Sequence, residues 1–410
     1  MPSLDSDFIR SQFPAFSERS LEGQAFFENA GGSYACGQVI DRLTRYYRET
    51  KVQPYWAFTA SAKAGAQMDE AYERLAGLMN VAADEVNFGP STSQNTYVLA
   101  NAFRPLWNDG DEIIVTNQDH EANGGAWRRL AERGIVVREW KVDPDSGQLD
   151  PADLDTLLSD KTKLVAFPHC SNIVAHINPV REIADKAHSV GAHVVVDGVS
   201  YAPHGLPDVE ALGADVYLCS LYKVYGPHQG LMVVRRALLD ALANQSHYFN
   251  ANVRRAKLTP AGPDHAQIAA AAGIADYFDA VHAHHFGDEA EASTRGQRVH
   301  DLFRGQEEAL LAPLLDYLRG RNDVRLMGPS DPAVRAPTVA IDTLRRNPHE
   351  IAEALAGKGI MAGAADFYSV RVIEAMGVKA DPGVLRVSFV HYTIREEVDK
   401  LIAALDETLS

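Results

Sequence analysis

Between about residues 85 and 235, short apolar runs alternate with helical stretches, and this alternation constrains the fold more than any other feature of the sequence. Several runs are continuously apolar and rich in β-branched residues, as expected for strands that are covered on both faces. Repeated β–α alternation predicts a mostly parallel sheet whose strands are joined by crossover helices. The strand candidates are residues 84–89, 111–117, 134–140, 162–169, 192–198, 215–220 and 231–236.

The pattern changes after about residue 290, where a long helical stretch at 291–320 precedes shorter strand candidates and a final helix. We therefore predict an α/β protein with a large domain at 21–289 and a smaller α+β domain formed by 1–20 and 290–410. A ligand would then lie at the carboxyl ends of the parallel strands, facing the small domain.

The net charge and the N-terminal sequence limit which binding partners are expected. A formal net charge of −16 argues against nucleic acid, because contacts with a phosphate backbone need basic patches. The N-terminus has no signal-peptide pattern, and no stretch reaches the roughly 20 apolar residues that span a bilayer. Three cysteines without a CxxC pair predict neither a disulfide framework nor a metal site. We expect a cytoplasmic protein that acts on a small molecule, with no membrane as partner.

Two charged residues stand where predicted strands end. Asp197 closes the run AHVVVD, and Lys223 follows the run DVYLCS in SLYK. The two positions are 26 residues apart, which corresponds to one strand–helix–strand step, so both side chains should reach the same end of the sheet. Taken alone, an aspartate after an apolar run is often a helix cap or a buried salt-bridge partner.

The chain also carries six motifs in a characteristic order: FFENAGGSYACGQVIDRLTRYY, STSQNTYVLAN, DHEANGGAW, CSNIVAHINPV, HVVVDGVS with DVYLCSLYKVYGPHQGLMVV, and LRVSFVHYTIREEVDKL. This set resembles the class V aminotransferase/cysteine desulfurase branch of the fold-type I enzymes that depend on pyridoxal 5′-phosphate (PLP). The resemblance runs through nearly the whole chain. It implies a fold-type I α/β architecture, PLP as cofactor, an amino-acid substrate, and a homodimer with shared active sites.

The resemblance implies three catalytic residues. Lys223 would form an imine with PLP and move the Cα proton of the substrate. Asp197 would keep the pyridine nitrogen protonated, which PLP needs to withdraw electrons. His120, in DHEAN, would stack on the pyridine ring, although outside this context it would be a core or surface histidine.

Four further positions match the residues that bind the cofactor phosphate in the family. Thr92 and Ser93 stand at a strand-to-helix turn, where hydroxyl and N–H groups suit a phosphate, although both are also ordinary capping residues. Ser220 would be a second phosphate ligand. Tyr222 stands where desulfurases usually have histidine, and its hydroxyl can still donate a hydrogen bond to phosphate.

The remaining matches concern the phenolic oxygen of PLP and the substrate. Asn172 and Ser200 would lie near that oxygen. Ser200 stands where the family often has glutamine. Outside this context, Asn172 would be an ordinary turn residue. Arg386 would bind the substrate carboxylate through two parallel hydrogen bonds. Asn123, which completes the H-x-A-N match, would help orient His120 and is assigned with Arg386 to substrate binding.

A cysteine desulfurase of this branch also needs a thiol on a loop, which would fall at 358–377, and this stretch has no cysteine. We therefore predict a desulfurase-like lyase or an aminotransferase acting on a small amino acid. One alternative is a true cysteine desulfurase or selenocysteine lyase that uses another nucleophile, for which Cys36 is a candidate and Cys170 and Cys219 are poor ones. Another alternative is a PLP-binding regulatory protein without catalysis.

The segment at 53–65 is rich in aromatic residues. Its position resembles a loop that the partner chain contributes in this branch, so Tyr55, Trp56 and Lys63 could form a substrate gate across a dimer interface. Simple aromatic packing at that interface is an equal alternative.

Overall fold

The computed structural model describes residues 2–409, and its centre is a sheet of seven strands in the order β2 (Val86–Gly89), β8 (Gly230–Val234), β7 (Val216–Ser220), β6 (His193–Asp197), β5 (Thr162–Pro168), β3 (Glu112–Thr116) and β4 (Val136–Trp140). Strand β8 runs antiparallel to both of its neighbours, and the other pairs are parallel. Six of the seven strand candidates contain one of these strands, and the seventh, 231–236, overlaps β8, which begins one residue earlier; the predicted sheet is confirmed. The strands of the described chain are β1 (Ala25–Phe26), β2 (Val86–Gly89), β3 (Glu112–Thr116), β4 (Val136–Trp140), β5 (Thr162–Pro168), β6 (His193–Asp197), β7 (Val216–Ser220), β8 (Gly230–Val234), β9 (Arg325–Leu326), β10 (Thr338–Asp342), β11 (Ile360–Met361), β12 (Gly363–Ala365) and β13 (Val384–Ser388).

Helices cover both faces of the large sheet, because its central strands are apolar on both sides. In β6, for example, Val194 and Val196 pack into one hydrophobic cluster, whereas Val195 packs into another on the opposite face. The helices of residues 2–409 are α1 (Ser6–Ser11), α2 (Gly37–Glu49), α3 (Thr59–Leu78), α4 (Thr92–Phe103), α5 (Glu121–Arg128), α6 (Pro151–Leu157), α7 (Val180–Ser189), α8 (Val209–Leu212), α9 (Arg236–Ala241), α10 (Arg254–Lys257), α11 (His265–His285), α12 (Ala292–Arg319), α13 (Pro348–Gly357), α14 (Val370–Ala375) and α15 (Arg395–Leu409).

A second, smaller sheet contains four strands of the described chain in the order β12-β13-β10-β9, all antiparallel. Its hydrophobic cluster includes residues of α12, α13 and α15, so this part has a core of its own. Strand β1 pairs in parallel with β11, and the next residue, Phe27, packs into the same cluster. This pairing brings the segment around residue 28 to the edge of the small sheet.

The first residues of the described chain contact both parts. The ring of Phe13 packs edge-on against Tyr225 and Tyr277, and it also contacts Tyr392 near the end of the chain. Arg10 forms an ion pair with Glu397 of α15 at 3.0 Å. The predicted division at residues 20 and 290 stays a prediction. In residues 2–409, no helix combines the length and the apolar character that crossing a bilayer requires.

Candidate active site

Asp197 and Lys223 meet at one edge of the large sheet. Asp197 is the last residue of β6, and its register partner in the parallel strand β7 is Leu218. Lys223 lies in the single turn that follows β7, so both side chains stand at the carboxyl ends of adjacent strands. Both residues are buried, with 5% and 7% of their surface exposed. The backbone N–H of Val199 donates to Oδ1 of Asp197 at 2.9 Å and fixes the carboxylate.

Burial changes the acidity of both groups. Burial, together with the positive charge of Arg386, lowers the pKa of Lys223 to about 8, while Asp197 acts in the opposite direction. Burial also raises the pKa of Asp197, and the charge of Lys223 opposes that shift. Within residues 2–409, Nζ of Lys223 makes no hydrogen bond and no ion pair within 4.0 Å. The amine is therefore a neutral nucleophile at a lower pH than a free lysine.

The register of three strands brings two hydroxyl groups together. Gly89 at the end of β2 pairs with Gly230 of β8, which also pairs with Ser220 at the end of β7. Helix α4 begins at Thr92, and Oγ1 of Thr92 lies 2.8 Å from Oγ of Ser220. A Cβ at position 230 would lie 2.6 Å from the backbone nitrogen of Thr92, so this close approach requires glycine. The result is a helix N-terminus flanked by two hydroxyls.

Tyr222 and Ser93 differ in how close they come to this cradle. The half-buried ring of Tyr222 stacks on His228 with 4.8 Å between the ring centroids, and the Ser220 hydroxyl counteracts the burial that raises the pKa of Tyr222. Ser93 lies in the first turn of α4, but its side chain is exposed. Ser200 is half-buried and lines the same small cavity as Lys223.

His120 caps α5 and has a defined tautomer. Its Nδ1 accepts a hydrogen bond from the backbone N–H of Ala122 at 3.0 Å, so the proton of the neutral ring is on Nε2. Burial lowers the pKa of His120 to about 4, with smaller contributions from Lys223 and Arg386. His120 is thus a neutral ring that can offer an N–H through Nε2.

Asn123 makes no hydrogen bond to Arg386 within residues 2–409. It is fully buried, its Nδ2 donates to Oδ1 of Asp119 at 2.8 Å, and its Oδ1 accepts from Nε1 of Trp127 at 3.2 Å. Asp119 also accepts from the Thr116 hydroxyl at 2.6 Å, and burial raises the pKa of Asp119 to about 7. These contacts fix the turn that carries His120.

Arg386 lies in β13 and is almost completely buried. Its Nη2 donates to Oε1 of Glu28 at 2.5 Å, and its Nη1 contacts the backbone oxygen of Asn172 at 3.4 Å. The guanidinium carbon lies 3.7 Å from the centre of the Phe367 ring. The charge of Arg386 acts on both Lys223 and His120, so the arginine belongs to the same site.

A loop with an unusual backbone covers this arginine. Phe367 and Tyr368 have φ values of +50° and +57°, a region that residues other than glycine rarely adopt. Asn172 holds the loop by donating to the Phe367 oxygen at 3.0 Å and accepting from the Ser369 hydroxyl at 2.7 Å. The Glu121 N–H donates to the Tyr368 oxygen, and the Tyr368 ring lies 5.5 Å from the ring of His120.

Cys219 directly precedes Ser220 and Cys170 stands two residues before Asn172, whereas Cys36 and the aromatic segment at 53–65 lie in other parts of the chain. All three cysteines are buried, and burial raises the pKa of each thiol to about 12. Tyr55 and Trp56 have 59% and 63% of their surface exposed, and Lys63 pairs with Glu49 on the surface. Neither the thiols nor this segment contacts Lys223 in the described chain.

Several residues of the site were not among those predicted. Glu28 lies inside the motif FFENAGG, but its pairing with Arg386 depends on the bridge between Glu28 and Ser388 of the small sheet. Phe367 and Tyr368 lack the glycine or asparagine that usually signals left-handed backbone. Asp119 directly precedes His120, and this adjacency was the one available signal.

Comparison with known proteins gives the family. Residues 25–401 match the family described as aminotransferase class-V. The chain belongs to the class V aminotransferase family. It is 37% identical to the aminotransferase-like protein FGM3 of Gibberella zeae, over 99% of both chains. It is 30% identical to the cysteine desulfurase-like protein ustD of Aspergillus flavus, over 99% of this chain and 91% of the relative.

The fold agrees with solved members of this family. The apo structure of a cysteine desulfurase from Thermococcus onnurineus superimposes with a TM-score of 0.85, at 22% identity and over 99% of both chains. This likeness confirms the fold-type I α/β architecture. Together with the family, it confirms the predicted resemblance to class V aminotransferases and cysteine desulfurases, which are PLP-dependent enzymes.

Proposed function

We propose that this class V enzyme binds PLP covalently through Lys223 and converts a small amino acid, either by transamination or by expulsion of a substituent from the β-carbon. The observation that carries the proposal is a buried amine with a pKa of about 8 at the sheet edge where Asp197 and the hydroxyl cradle also lie. PLP supplies an electron sink that makes the Cα proton of a bound amino acid acidic.

The residues at this edge fit the groups of PLP. A second buried lysine, Lys257, shows the contrast: its Nζ donates to the backbone oxygens of Leu239 and Asp240, whereas Nζ of Lys223 has no such partner in the described chain. The start of α4, with Thr92 and Ser220, offers hydroxyl and N–H donors to a phosphate dianion. A protonated pyridine nitrogen would stabilise the buried carboxylate of Asp197 as an anion.

Each side chain then has a chemical task. Lys223, neutral above about pH 8, can accept the Cα proton and return it. His120 stays neutral and can pack against the cofactor ring, with Nε2–H as its donor. Arg386 would hold the substrate carboxylate, and Asn172 orients the loop above it.

The positions and the burial of the cysteines help to decide which reaction is proposed. The stretch 358–377 has no cysteine, and the three thiols of the chain are buried with pKa values of about 12, so none is a thiolate near neutral pH. These features disfavour the alternative of a desulfurase or selenocysteine lyase with another thiol nucleophile. The relatives, one aminotransferase-like and one desulfurase-like, support both remaining outcomes. The intact charged site argues against a PLP-binding regulator without catalysis.

A homodimer is part of this proposal. Large aromatic side chains stand exposed on the surface, with Tyr248 89%, Phe249 66% and Trp56 63% accessible. Exposed aromatic surface of this kind is typical of protein interfaces. Sedimentation equilibrium is expected to give twice the chain mass, and Tyr248→Glu should shift the equilibrium toward monomer. A monomeric wild-type protein at micromolar concentration would refute the dimer.

The function is tested by spectroscopy and a substrate panel. Adding PLP should produce an absorbance band at about 420 nm that borohydride abolishes, as expected for a covalent amine–aldehyde adduct. A panel of amino acids then separates the reactions: keto acid with conversion of the cofactor to its amine form indicates transamination, and release of a β-substituent indicates a lyase. Sulfide or alanine formed from cysteine would restore the desulfurase alternative. Absence of any band would refute the proposed function.

A further inference from the structure

The guanidinium of Arg386 is already occupied by groups of its own chain. Nη2 donates to Glu28 at 2.5 Å, and Nη1 contacts the Asn172 oxygen at 3.4 Å. Nε is buried and has no partner among residues 2–409. One face is covered by the Phe367 ring at 3.7 Å, and only 4% of the arginine side chain is exposed.

A substrate carboxylate needs the same guanidinium N–H groups of Arg386 that Glu28 now engages. A carboxylate binds arginine most strongly through two parallel N–H···O bonds, and such a pair requires either Nη2 with Nε or Nη2 with Nη1. Both arrangements include Nη2, the nitrogen that donates to Glu28. Two carboxylates on one guanidinium would leave a buried excess of negative charge, which is costly.

Glu28 is well placed to act as a competitor. The backbone on either side of it is fixed, because the Phe27 N–H donates to the Met361 oxygen and the Asn29 N–H donates to the Ser388 oxygen. Its side chain keeps 31% of its surface exposed, so the carboxylate has room to turn outward. A Cβ at position 31 would overlap the Glu28 carboxylate, so Gly31 is required for this pose. The charge of Glu28 also acts on Lys223, which places it inside the site.

We propose that Glu28 is a specificity-determining residue that competes with the α-carboxylate of the substrate for Arg386. The proposal rests on the proposed function. An amino acid with a free carboxylate binds after Glu28 has turned away, and its apparent affinity is the intrinsic affinity multiplied by the fraction of molecules in which Glu28 has released the arginine. An amine without a carboxylate leaves the Glu28–Arg386 pair intact. The negative charge of Glu28 therefore weakens the binding of a substrate carboxylate to Arg386.

The test measures carboxylate binding directly. Isothermal titration of the holoenzyme with propionate is expected to give a dissociation constant about tenfold lower in Glu28→Gln than in the wild type, as for a competitor that holds nine molecules in ten. Propionamide, which lacks the charge, should bind equally to both. In steady-state kinetics, KM for the amino-acid substrate should fall while kcat stays nearly constant.

A matched control is Glu70→Gln, since Glu70 is also a partly exposed carboxylate paired with an arginine, Arg42 at 2.7 Å, but on α3. Its propionate affinity should equal that of the wild type. An unchanged or higher dissociation constant in Glu28→Gln would overturn the proposal, and a higher one would mean that Glu28 holds Arg386 in its binding pose. Glu28→Asp, which shortens the reach but keeps the charge, should lie between, and it replaces the glutamine variant if that one misfolds.

The two failures are distinguishable. The cofactor absorbance band reports on the proposed function, whereas calorimetry with propionate needs no turnover and reports on Glu28 alone. A normal band with no effect of Glu28→Gln would refute only the competition.

Discussion

The site has two sides that the chain builds differently. The floor consists of Thr92, Asp197, Ser220 and Lys223, which stand at strand ends or at the start of a helix that follows a strand. The roof consists of Glu28 and Phe367, which contact Arg386, and of Tyr368, whose ring lies beside His120. The register of the large sheet fixes the positions of the floor residues. The roof depends instead on contacts between segments that are far apart in sequence. In the proposed function, the floor carries the chemistry of the family, and the roof governs the choice of substrate.

The largest expected effect comes from the floor. Asp197→Asn removes the buried negative charge without changing the shape of the side chain, so kcat should fall about 10²–10³-fold, as for other preorganised electrostatic groups. Stopped-flow measurement of Cα–H exchange in deuterated water locates the loss in proton removal. Asp145→Asn, in an exposed turn, is the control and should behave as wild type. A similar kcat in both variants would remove Asp197 from the mechanism.

The acidity of Lys223 predicts how cofactor loading depends on pH. The lowered pKa of about 8 means that the reactive neutral amine is lost as pH falls below 8. The rate of PLP incorporation should therefore drop about tenfold per pH unit below pH 8 and level off above it. Absorbance after mixing the cofactor-free enzyme with PLP at pH 6–9.5 measures this profile. A midpoint near the ordinary lysine value of 10.5 would show that burial does not tune this amine.

The hydroxyl cradle should affect affinity more than turnover. Thr92→Val keeps the shape of the side chain but removes one hydroxyl, and the dissociation constant for PLP should rise about tenfold, the effect of one hydrogen bond to a charged group. Thr156→Val, exposed on α6, provides the comparison. Equilibrium dialysis gives both constants. Equal affinities would place the phosphate elsewhere.

The smallest effect should come from the roof. Tyr368→Gly removes a ring beside His120 and also relieves a left-handed backbone, so KM should rise about threefold while stability is unchanged or up to about 1 kcal/mol higher. Leu344→Gly is a matched control, because Leu344 is exposed and also has a positive φ of +46°. It should share the effect on stability and not the effect on KM. A fall in stability for Tyr368→Gly would show that the ring supports the loop.

The same contrast explains what could be predicted from the sequence. Apolar runs with an acidic or basic residue at the end predicted the strands and the meeting of Asp197 with Lys223, because parallel strands end at one edge. The pairing of Glu28 with Arg386 could not be predicted, since it depends on the bridge between Glu28 and Ser388 of the small sheet. Asn123 matches a family motif, yet its polar groups face Asp119 and Trp127. Local sequence does not show which neighbouring groups a buried amide will hydrogen-bond with.

The central claim is that Lys223 holds PLP. The direct measurement is borohydride reduction of the PLP-loaded enzyme, followed by digestion and mass spectrometry of the peptides. We predict the mass of reduced PLP on the peptide that contains Lys223, and no such mass in Lys223→Ala. Label on another lysine, such as the buried Lys257, or no label at all, would contradict the account.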